Sequence, residues 1–568
     1  MVNFALTLLS NGARLSQIDF VRKTRNPTIV QERFLLSLLK AYQHTEFGRE
    51  YKFAEIKSVD EFRERLPILP YSSYEPYLER IAKGEQNILT PDPVVYLNLT
   101  SGSTGKQKLI PVTRQSRKVL NRANRVSMGF VAEAARRRGL PVGKIFLTSS
   151  VQLYGRTSGG IDYGPVSVGD LRLNNFLYQQ VFALPYEALQ IQDNLARHYV
   201  CLLFALRNPS LRIIASNFPV LALQLCNYLE SNSLDLIEDI ETGTIAPWVN
   251  LKPELRAKLE NQLSPSLKRA AQLYQILHDQ GRLTPKLVWE NLSFISTARG
   301  GTSNFYLQRF PEYFGDTPVF GGIYSSAEGT FGIHHDFNCD GSILAIETSF
   351  FEFIPEEQWN VSQPKTLLAD EVEVGKYYRI LMSNYSGFYR YDIGDVVEVV
   401  GWYEQTPLIV FRHRLGGLLS STTEKTTEFH VTQVMQQLQK EFNVSLENFC
   451  ITLSEDEIPP HYLVNIELAS GHTLNNPQEF ILEFDRILQE IHVSYATKRA
   501  TQVPSPQLRI MTAGSFATIR ERLLERGIPA SQLKFPHISD DRQFLAGLTV
   551  EQEIKMPLTT NQISNNVF

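Results

Sequence analysis

The sequence has few cysteines and no long apolar run. Its four cysteines, Cys201, Cys226, Cys339 and Cys450, are scattered over 568 residues. This spacing fits neither a disulfide framework nor a zinc site, and it favours a reducing compartment. No apolar run approaches the roughly 18–20 residues that a transmembrane helix needs. The first residues have neither a basic segment nor a small-residue cleavage site, so we expect a cytoplasmic protein without membrane association.

The chain also lacks an excess of charge of either sign. Its formal net charge is -4, with 20% charged and 43% hydrophobic residues. This balance gives no support for nucleic acid or an anionic membrane surface as the main partner. The chain is longer than one hydrophobic core usually serves, so we expect a large domain and at least one smaller one.

Three common catalytic patterns are missing from the sequence. A Walker A loop needs a second glycine five positions after the first, and Gln107 stands at that distance from Gly102. There is no Rossmann glycine fingerprint. There is also no Ser–His–acid or Cys–His pattern that would supply a protein nucleophile.

The stretch from Leu99 to Lys108 reads LTSGSTGKQK. It lies between an apolar lead-in at 94–97 and a long helix whose predicted N-cap is Thr113. Glycine lets the backbone approach closely, hydroxyls and N–H groups donate to phosphate oxygens, and lysine neutralises charge. The pattern predicts a cradle for the triphosphate of ATP, and an ordinary turn is the alternative.

Two further segments carry polar groups between or beside glycines. In 321–329, which reads GGIYSSAEG, Tyr324 can stack on a purine and Glu328 can hold Mg²⁺ against phosphate oxygens. In 389–395, which reads YRYDIGD, Asp395 can accept hydrogen bonds from both ribose hydroxyls. Each segment is also compatible with a plain turn, in the first case with a solvated glutamate.

The apolar patterns predict two domains. Strand-like runs alternate with helical segments up to about residue 401, which is typical of an α/β domain. The tail from 428 to 492 is predicted as helix–strand–strand–helix, a small α+β unit. We place the boundary in the glycine- and hydroxyl-rich segment 416–423 and expect domains 1–420 and 421–568.

Taken in this order, the motifs resemble the ATP-dependent adenylate-forming superfamily. They are most similar to the auxin-responsive Gretchen Hagen-type family of acyl acid–amido synthetases, and the resemblance covers nearly the whole chain. It is carried by the hydroxyl-rich loop running into Lys108-Leu-Ile-Pro-Val-Thr113, Tyr324-Ser-Ser-Ala-Glu328, Arg390-Tyr-Asp-Ile-Gly-Asp395 and Glu424-Lys-Thr-Thr-Glu428, with support from Trp289-Glu-Asn291, Ala298-Arg-Gly-Gly301 and Gln532-Leu-Lys-Phe-Pro536.

The resemblance implies a fold and a reaction. The fold would be α/β, with a large adenylate-forming N-terminal domain of mixed β-sheets and flanking helices and a small, mobile α+β lid domain. ATP and a carboxylic acid would give an acyl-adenylate and pyrophosphate, with Mg²⁺ as cofactor. The amine of an amino acid would then attack to give an amide and AMP. An acyl-CoA synthetase and a catalytically silent adenylate-binding regulator are the rival hypotheses, and we expect a monomer or weak dimer.

The resemblance also assigns site residues. Glu328 would organise Mg²⁺ and assist catalysis, and Lys534 would be the catalytic lid lysine. Asp395 would hold the ribose, and Arg414 would contact the nucleotide near the hinge. The other predicted ATP-binding residues are Ser101, Gly102, Ser103, Thr104 and Lys106 in the phosphate loop, Gly300, Gly301 and Tyr324 around the adenine, and Ser325 and Ser326.

Two positions depart from the pattern of plant members. Asp392 stands where plant members commonly carry arginine, and His537 follows Pro536 where the lid often has arginine. Both departures affect the expected hinge and lid contacts, and we expect a bacterial-type member. The acid and the amine cannot be deduced from these motifs.

A possible metal cluster at 334–339 is not favoured. The segment contains His334, His335, Asp336 and Cys339. Adjacent histidines on a strand point to opposite faces, so they rarely bind one ion.

Overall fold

The computed structural model describes residues 4–100, 108–147, 149–166, 178, 180–414, 418–455, 457–500, 502–525 and 533–556, with only the backbone described at 4–11 and at Thr100. The chain divides into two compact units, Met1–Arg412 and His413–Phe568. Among the described residues, no helix combines the length and the apolar character that a membrane span requires.

The first unit contains three sheets with both parallel and antiparallel pairings. One has the order β2-β1-β5-β4, a second has the parallel order β3-β6-β7-β8, and the third has seven strands in the order β12-β13-β14-β15-β11-β10-β9. The strands are β1 Tyr96–Thr100, β2 Lys108–Val112, β3 Ile145–Leu147, β4 Gly155–Arg156, β5 Asp162–Gly164, β6 Ile213–Ala215, β7 Phe294–Ser296, β8 Val319–Phe320, β9 Ile323–Ser325, β10 Thr330–His334, β11 Ser342–Leu344, β12 Phe350–Pro355, β13 Tyr377–Ser383, β14 Tyr391–Tyr403 and β15 Thr406–Arg414.

The α-helices of this unit lie between and around those strands. They are α1 Phe4–Lys23, α2 Pro27–Tyr42, α3 Glu46–Glu50, α4 Val59–Arg65, α5 Tyr71–Ala82, α6 Arg114–Arg137, α7 Asn194–Leu206, α8 Pro219–Ser231, α9 Ser233–Thr242, α10 Pro253–Glu260, α11 Leu267–Gln280, α12 Pro285–Val288, α13 Ser303–Leu307 and α14 Phe310–Phe314. Thr113 caps α6 as predicted, because its hydroxyl accepts from the Ser116 N–H at 3.1 Å and the Ser116 hydroxyl accepts from the Thr113 N–H.

An aromatic cluster fixes the chain where it enters β14. The buried ring of Tyr389 stacks on Phe47 at 5.1 Å and meets the edge of Phe53 at 4.8 Å. The Tyr74 hydroxyl donates to the Tyr389 carbonyl at 2.6 Å and accepts from the Tyr389 N–H at 2.9 Å. This packing places the segment before Asp395 among helices of the N-terminal region.

The second unit has its own sheet and helices. The sheet has the order β18-β19-β20-β21, with β19 and β20 parallel and the other pairs antiparallel. Its elements are β16 Leu418–Leu419, β17 Thr426–Thr427, α15 Glu428–Glu441, β18 Leu446–Leu453, β19 Tyr462–Leu468, α16 Pro477–Ile491, α17 Val493–Arg499, β20 Gln507–Met511, α18 Ser515–Glu525 and β21 Val550–Lys555.

The main elements of the tail confirm the predicted helix–strand–strand–helix order. The first helix, the second strand and the second helix agree with the predicted bounds to within one residue, and the first strand begins three residues earlier than predicted. The mixed sheets with flanking helices also confirm the predicted α/β class. Residues 415–417, which include part of the predicted linker, lie outside the described residues.

Candidate functional site

The predicted phosphate loop connects two paired strands. Strands β1 and β2 are antiparallel. The last residue of β1, Thr100, pairs with the first residue of β2, Lys108. The predicted phosphate ligands Ser101, Gly102, Ser103, Thr104 and Lys106 lie outside the described residues, so their roles stay predictions. The structure does fix both ends of the loop as a hairpin.

Tyr324 and Asp395 are in direct contact. The hydroxyl of Tyr324, on β9, donates to Oδ2 of Asp395 at 2.9 Å. The Tyr324 ring stacks on Phe331 at 4.9 Å and lies 5.7 Å from the ring of Phe411. Asp395 follows Gly394, whose φ of 80° is left-handed, and is only 2% exposed. Two residues that the sequence analysis chose from separate motifs therefore form one polar pair.

The Gly300–Gly301 turn packs against strand β15. Both glycines have positive φ, at 85° and 55°. A Cβ on Gly300 would lie 2.9 Å from Val410, and one on Gly301 would lie 2.9 Å from the ring of Phe411. Since Phe411 also contacts Tyr324, the turn and Tyr324 share a neighbour. Only glycine combines this backbone conformation with this close approach.

The turn is held by a polar network of its own. The Asn304 side chain accepts from the Gly300 N–H at 3.1 Å and donates to Asp340 at 2.6 Å. Asp340 in turn forms an ion pair with Arg299 at 2.9 Å. The alanine–arginine–glycine–glycine segment is therefore preorganised from both sides.

Glu328 is buried rather than solvated, which excludes one of the two interpretations of its turn. The residue is 5% exposed, and Tyr391 lies with its hydroxyl 3.4 Å from Oε1. The Glu328 N–H donates to the Ser326 hydroxyl at 3.2 Å, and the Asn384 amide donates to the Glu328 carbonyl at 2.8 Å. Ser326 thus shapes the turn, while Ser325 is exposed on β9.

Several residues near this turn were not singled out from the sequence. Asn98, on β1, donates to the Ala327 carbonyl at 3.3 Å, which links the hairpin to the Glu328 turn. The Tyr71 hydroxyl accepts from the Leu109 N–H at 2.9 Å, and Lys108 Nζ lies 4.9 Å from the Tyr71 ring centroid. Lys108 ends the hydroxyl-rich stretch, so its basic charge could have identified it as a candidate site residue. No sequence pattern identifies Tyr71 in this way.

The electrostatic surroundings keep Tyr71 protonated. Burial raises the pKa of Tyr71 to about 12, with the negative charge of Glu328 among the smaller causes. A neutral phenol can therefore serve both as acceptor for Leu109 and as a face for the Lys108 ammonium.

Arg390, within the glycine–aspartate signature, is bound inside the protein. It is 5% exposed, and its guanidinium forms an ion pair with the 1% exposed Glu352 at 2.9 Å. The same group donates to the carbonyls of Arg63 and Leu66, at 2.8 Å and 2.6 Å. Its φ of 44° is left-handed, so the surroundings determine its conformation. Within this signature, Arg390 therefore stabilises the fold, whereas Asp395 forms the polar pair with Tyr324.

Asp392, the first departure from the plant pattern, has a local role. Its carboxylate accepts from the Gly394 N–H at 2.9 Å and pairs with Arg379 at 3.2 Å. Burial raises the pKa of Asp392, and the nearby Arg379 opposes that rise. An acidic residue here thus stabilises the turn that precedes Asp395.

Arg414 and Lys534 belong to the second unit. Arg414 is the last residue of β15, and Lys534 is exposed between the buried residues Leu533 and Phe535. The other predicted site residues that the structure describes, namely Gly300, Gly301, Tyr324, Ser325, Ser326, Glu328 and Asp395, lie in the first unit.

The histidines near residue 334 serve packing. His334 Nδ1 lies 3.1 Å from the Cys339 carbonyl, and burial lowers the pKa of His334 to about 4. The His335 ring contacts Tyr403, and Asp336 pairs with Arg138 at 2.6 Å. Within the described ranges, no three histidine, cysteine or acidic side chains are grouped as a protein-only metal site would require.

Comparisons with known proteins match most of the chain. Descriptions of three consecutive domains match it: the GH3 family N-terminal domain at residues 17–319, the central domain at 342–414 and the C-terminal domain at 429–543.

Named relatives match along most of their length. The indole-3-acetic acid-amido synthetase GH3.3 of Arabidopsis thaliana is 24% identical, over 90% of this chain and 89% of the relative. The jasmonoyl--L-amino acid synthetase JAR4 of Nicotiana attenuata is 26% identical, over 91% of this chain and 92% of the relative. Both relatives are plant proteins named as ligases that form carbon–nitrogen bonds.

Solved structures support the fold. The AtGH3.15 acyl acid amido synthetase in complex with 2,4-DB has a TM-score of 0.83 at 22% identity and covers 98% of both chains. A 2-hydroxyisobutyryl-CoA ligase in the postadenylation state has a TM-score of 0.56 at 12% identity, over 92% of both chains. The fold is that of adenylate-forming enzymes, and the chain belongs to the GH3 family.

Proposed function

We propose that the protein is an ATP-dependent acid–amido ligase. It adenylates a carboxylic acid, releases pyrophosphate, and transfers the acyl group to the amine of an amino acid to give an amide and AMP. The observation that carries this proposal is the pair formed by the half-buried Tyr324 and the buried Asp395, whose hydroxyl and carboxylate oxygens are 2.9 Å apart. This pair lies in the same unit as the buried carboxylate of Glu328 and the hairpin of the phosphate loop.

The chemistry explains why no protein nucleophile is needed. A carboxylate is a poor electrophile because its leaving group would be an oxide, whereas the acyl-adenylate leaves AMP. The negative charge that develops on departing pyrophosphate has to be stabilised by preorganised donors and cations. Lys106 and the hydroxyls and N–H groups of Ser101, Ser103 and Thr104, beside Gly102, would supply them.

Each described residue has a place in this scheme. Asp395 would accept from the ribose hydroxyls while Tyr324 holds its carboxylate. Gly300 and Gly301 would allow the adenine to approach the backbone. Phe331 covers one face of the Tyr324 ring, so a purine would stack on the other face. Arg414 would contact the nucleotide, and Lys534 would act from the second unit as a lid lysine.

Mg²⁺ fits the donor at Glu328. A carboxylate oxygen is a hard ligand, and its described hydrogen bond, from Tyr391 at 3.4 Å, is long. A buried carboxylate is stabilised when a cation or good donors complete its shell. When bound, Mg²⁺ would supply charge stabilisation to the phosphate oxygens, and Glu328 would orient it.

The site assignment is tested by pyrophosphate exchange. Asp395→Ala and Glu328→Ala should each lower acid-dependent exchange at least about a hundredfold, since each removes a group that acts on the nucleotide. Asp392→Asn, three residues before Asp395, is the matched control. It should keep exchange because Asn can still accept from the Gly394 N–H. Normal exchange in either alanine variant would remove that residue from the site.

The acyl acceptor is tested by a matrix of acids and amines. Amide formation with AMP release, identified by product mass, supports the amido ligase. AMP release that needs CoA and no turnover with any amine would instead indicate an acyl-CoA synthetase, which the amido synthetases among its relatives do not favour. Pyrophosphate release with any acid excludes a silent adenylate-binding regulator.

Finer properties remain proposals. We propose domains 1–420 and 421–568 with a mobile lid, a cytoplasmic location, and a monomer or weak dimer that light scattering would identify. The four free cysteines are consistent with a reducing compartment. A bacterial-type member is likewise a proposal, and the relatives described above come from plants.

A further inference from the structure

A short segment lies along an edge strand of the second unit. We call residues 533–539 the strap. The Ile451 N–H, on β18, donates to the His537 carbonyl at 2.8 Å, and the Ser539 N–H donates to the Ile451 carbonyl at 2.9 Å. The strap therefore pairs with β18 as a short parallel bridge.

Burial alternates over the first five residues of the strap, and Ile538 is buried as well. Leu533, Phe535 and His537 are buried, whereas Lys534 is exposed and Pro536 is half-buried. Because successive side chains of an extended segment point to opposite sides, this pattern turns Lys534 away from the core that holds its neighbours. Phe535 lies 5.8 Å from the ring of Phe516, so the inner side of the strap is packed.

His537 is the most completely buried residue of the strap, at 0% exposure. Its ring stacks on Phe449 at 4.1 Å with an interplanar angle of 4°. Its Nδ1 lies 3.1 Å from the Phe449 carbonyl, and since a carbonyl can only accept, Nδ1 carries the proton. Burial also lowers the pKa of His537, which keeps the ring neutral.

The backbone of His537 is held by a carboxylate from a different element. Its N–H donates to Oε1 of Glu428 at 2.8 Å. Glu428 begins α15, directly after the N-cap Thr427, and ends the Glu424–Glu428 motif. A motif that had no assigned chemistry thus supplies one end of this contact.

Glu424, the other acidic residue of the motif, is structural as well. Its carboxylate accepts from the Thr422 N–H at 3.0 Å and from the Tyr462 hydroxyl at 2.7 Å. Hydrogen bonding to the carboxylate lowers the pKa of Glu424 although burial, the largest single influence, acts to raise it. The two glutamates therefore fix the loop before α15 and the strap that contacts its first turn.

We propose that His537 is a positioning residue for Lys534. Together with Glu428 and Phe449 it fixes the strap in register, so that the Lys534 ammonium is presented from a rigid base. This inference rests on the proposed role of Lys534 as the lid lysine. A neutral ring also fits a site with no solvent exposure.

Full-length variants test the inference through a double-mutant cycle. His537→Ala should lower kcat for acid-dependent pyrophosphate exchange by about tenfold to a hundredfold, with little change in KM for ATP, because a misplaced catalytic group costs rate rather than binding. In a Lys534→Ala background the same change should cost less than about twofold, since the two residues act as a unit.

Two further variants separate positioning from folding. His537→Asn places an amide N–H near the position of Nδ1 and should recover part of the rate. Glu428→Ala removes the acceptor of the His537 N–H and should lower the rate. Tyr495→Phe is the matched control: it removes a buried hydrogen bond to Asp485, 2.7 Å long, in the same unit but away from the strap. It should lower the unfolding midpoint and leave the rate unchanged.

The outcomes distinguish a failure of the positioning role of His537 from a failure of the role of Lys534. If His537→Ala keeps the rate, if its effect multiplies with that of Lys534→Ala, or if Tyr495→Phe loses rate equally, the positioning role is wrong and Lys534 can still be catalytic. If Lys534→Ala leaves both half-reactions unchanged, the assignment of Lys534 fails and the inference fails with it. Asp395→Ala then tests the rest of the proposed function separately.

Discussion

Two tyrosine hydroxyls contact the acidic side chains of the proposed ATP site. Tyr324 donates to Asp395 at 2.9 Å, and Tyr391 lies 3.4 Å from Glu328. An acceptor that is oriented before the ligand arrives loses less entropy when the ligand binds. The tyrosines thereby connect packing in the seven-stranded sheet to nucleotide affinity.

Tyr324→Phe should raise KM for ATP about tenfold with a smaller change in kcat. The variant keeps the ring stacked on Phe331 but loses the hydrogen bond to a carboxylate, and such bonds contribute about 1.5–3 kcal/mol. Initial rates at varied ATP measure the effect. Tyr378→Phe, which removes a hydroxyl that accepts from the Glu373 N–H in the same sheet, is the control. An unchanged KM for Tyr324→Phe would mean that Asp395 needs no such support.

Arg390→Met should destabilise the first unit by up to about 3–5 kcal/mol, because it leaves the buried carboxylate of Glu352 with only Arg63, whose Nε lies 3.8 Å away, as a cationic partner. Urea unfolding followed by tryptophan fluorescence reports on this unit. Arg65→Met, which breaks the exposed pair with Glu55, should cost about 0–1 kcal/mol. Adding Glu352→Leu to the Arg390 variant should restore stability, and a loss below about 1 kcal/mol would contradict the buried-pair argument.

Single residues differ in how far the sequence predicts them. Asp395 and Glu328 could be chosen because a carboxylate beside glycine, in this order of motifs, is unusual. The role of Arg390 could not, because its partner Glu352 carries no local pattern and the pairing exists only once strand β13 has brought β12 and β14 into one sheet. Tyr71 was missed for the same reason.

At the scale of elements, the junction of α15 and α16 brings two histidines together. The rings of His430 and His492 stack at 4.0 Å. His430 also completes the capping box of α15, since its Nδ1 accepts from the Thr427 N–H at 3.2 Å. Burial, followed by the nearby His492 and His413, lowers the pKa of His430 to about 3.

The second unit should therefore lose stability as the pH falls below about 6.5. The folded-state pKa of His430 lies below the value of about 6.5 in an unfolded chain, so the unfolded state binds the extra proton. The contribution of His430 is complete above pH 6.5, and about 1.4 kcal/mol of it is lost at pH 5.5. The lowered pKa of His492, which arises mainly from burial, acts in the same direction.

His430→Gln isolates this contribution. Glutamine can preserve the capping box and does not titrate, so the difference in stability between pH 7.5 and pH 5.5 should shrink by about 1.4 kcal/mol. Urea unfolding followed by circular dichroism at both pH values measures it. His278→Gln, an exposed histidine in the first unit, should leave the pH dependence unchanged. Equal acid sensitivity of the His430 variant and the parent would show that His430 does not titrate on unfolding.

Elements with clear periodicity were predicted, and those without it were not. The apolar pattern of 462–468 gave the bounds of β19 directly. Strand β21 has exposed charged and polar residues at most positions, as suits a sheet edge. Its sequence therefore lacks the alternation of apolar and polar residues that would predict a strand. Strand β15 was not predicted, and its last residue, Arg414, was singled out only as a nucleotide contact near the hinge.

At the scale of the molecule, the proposed site residues are divided between the two units. The described residues that we propose for adenine and ribose lie in the first unit, whereas Arg414 and Lys534 lie in the second. Length and motif order predicted this division in outline. The division between Arg412 and His413 falls within a continuous strand, where composition gives no signal.

The fragment 413–568 should fold alone. It has a four-stranded sheet covered by amphipathic helices, with a buried face formed by residues such as Phe480, Phe484 and Leu488 of α16. We expect a single cooperative urea transition by circular dichroism. In the full chain all four tryptophans lie in the first unit, so fluorescence and circular dichroism should give transitions that do not coincide. Coincident transitions, or a fragment that unfolds without cooperativity, would mean that the two units fold as one.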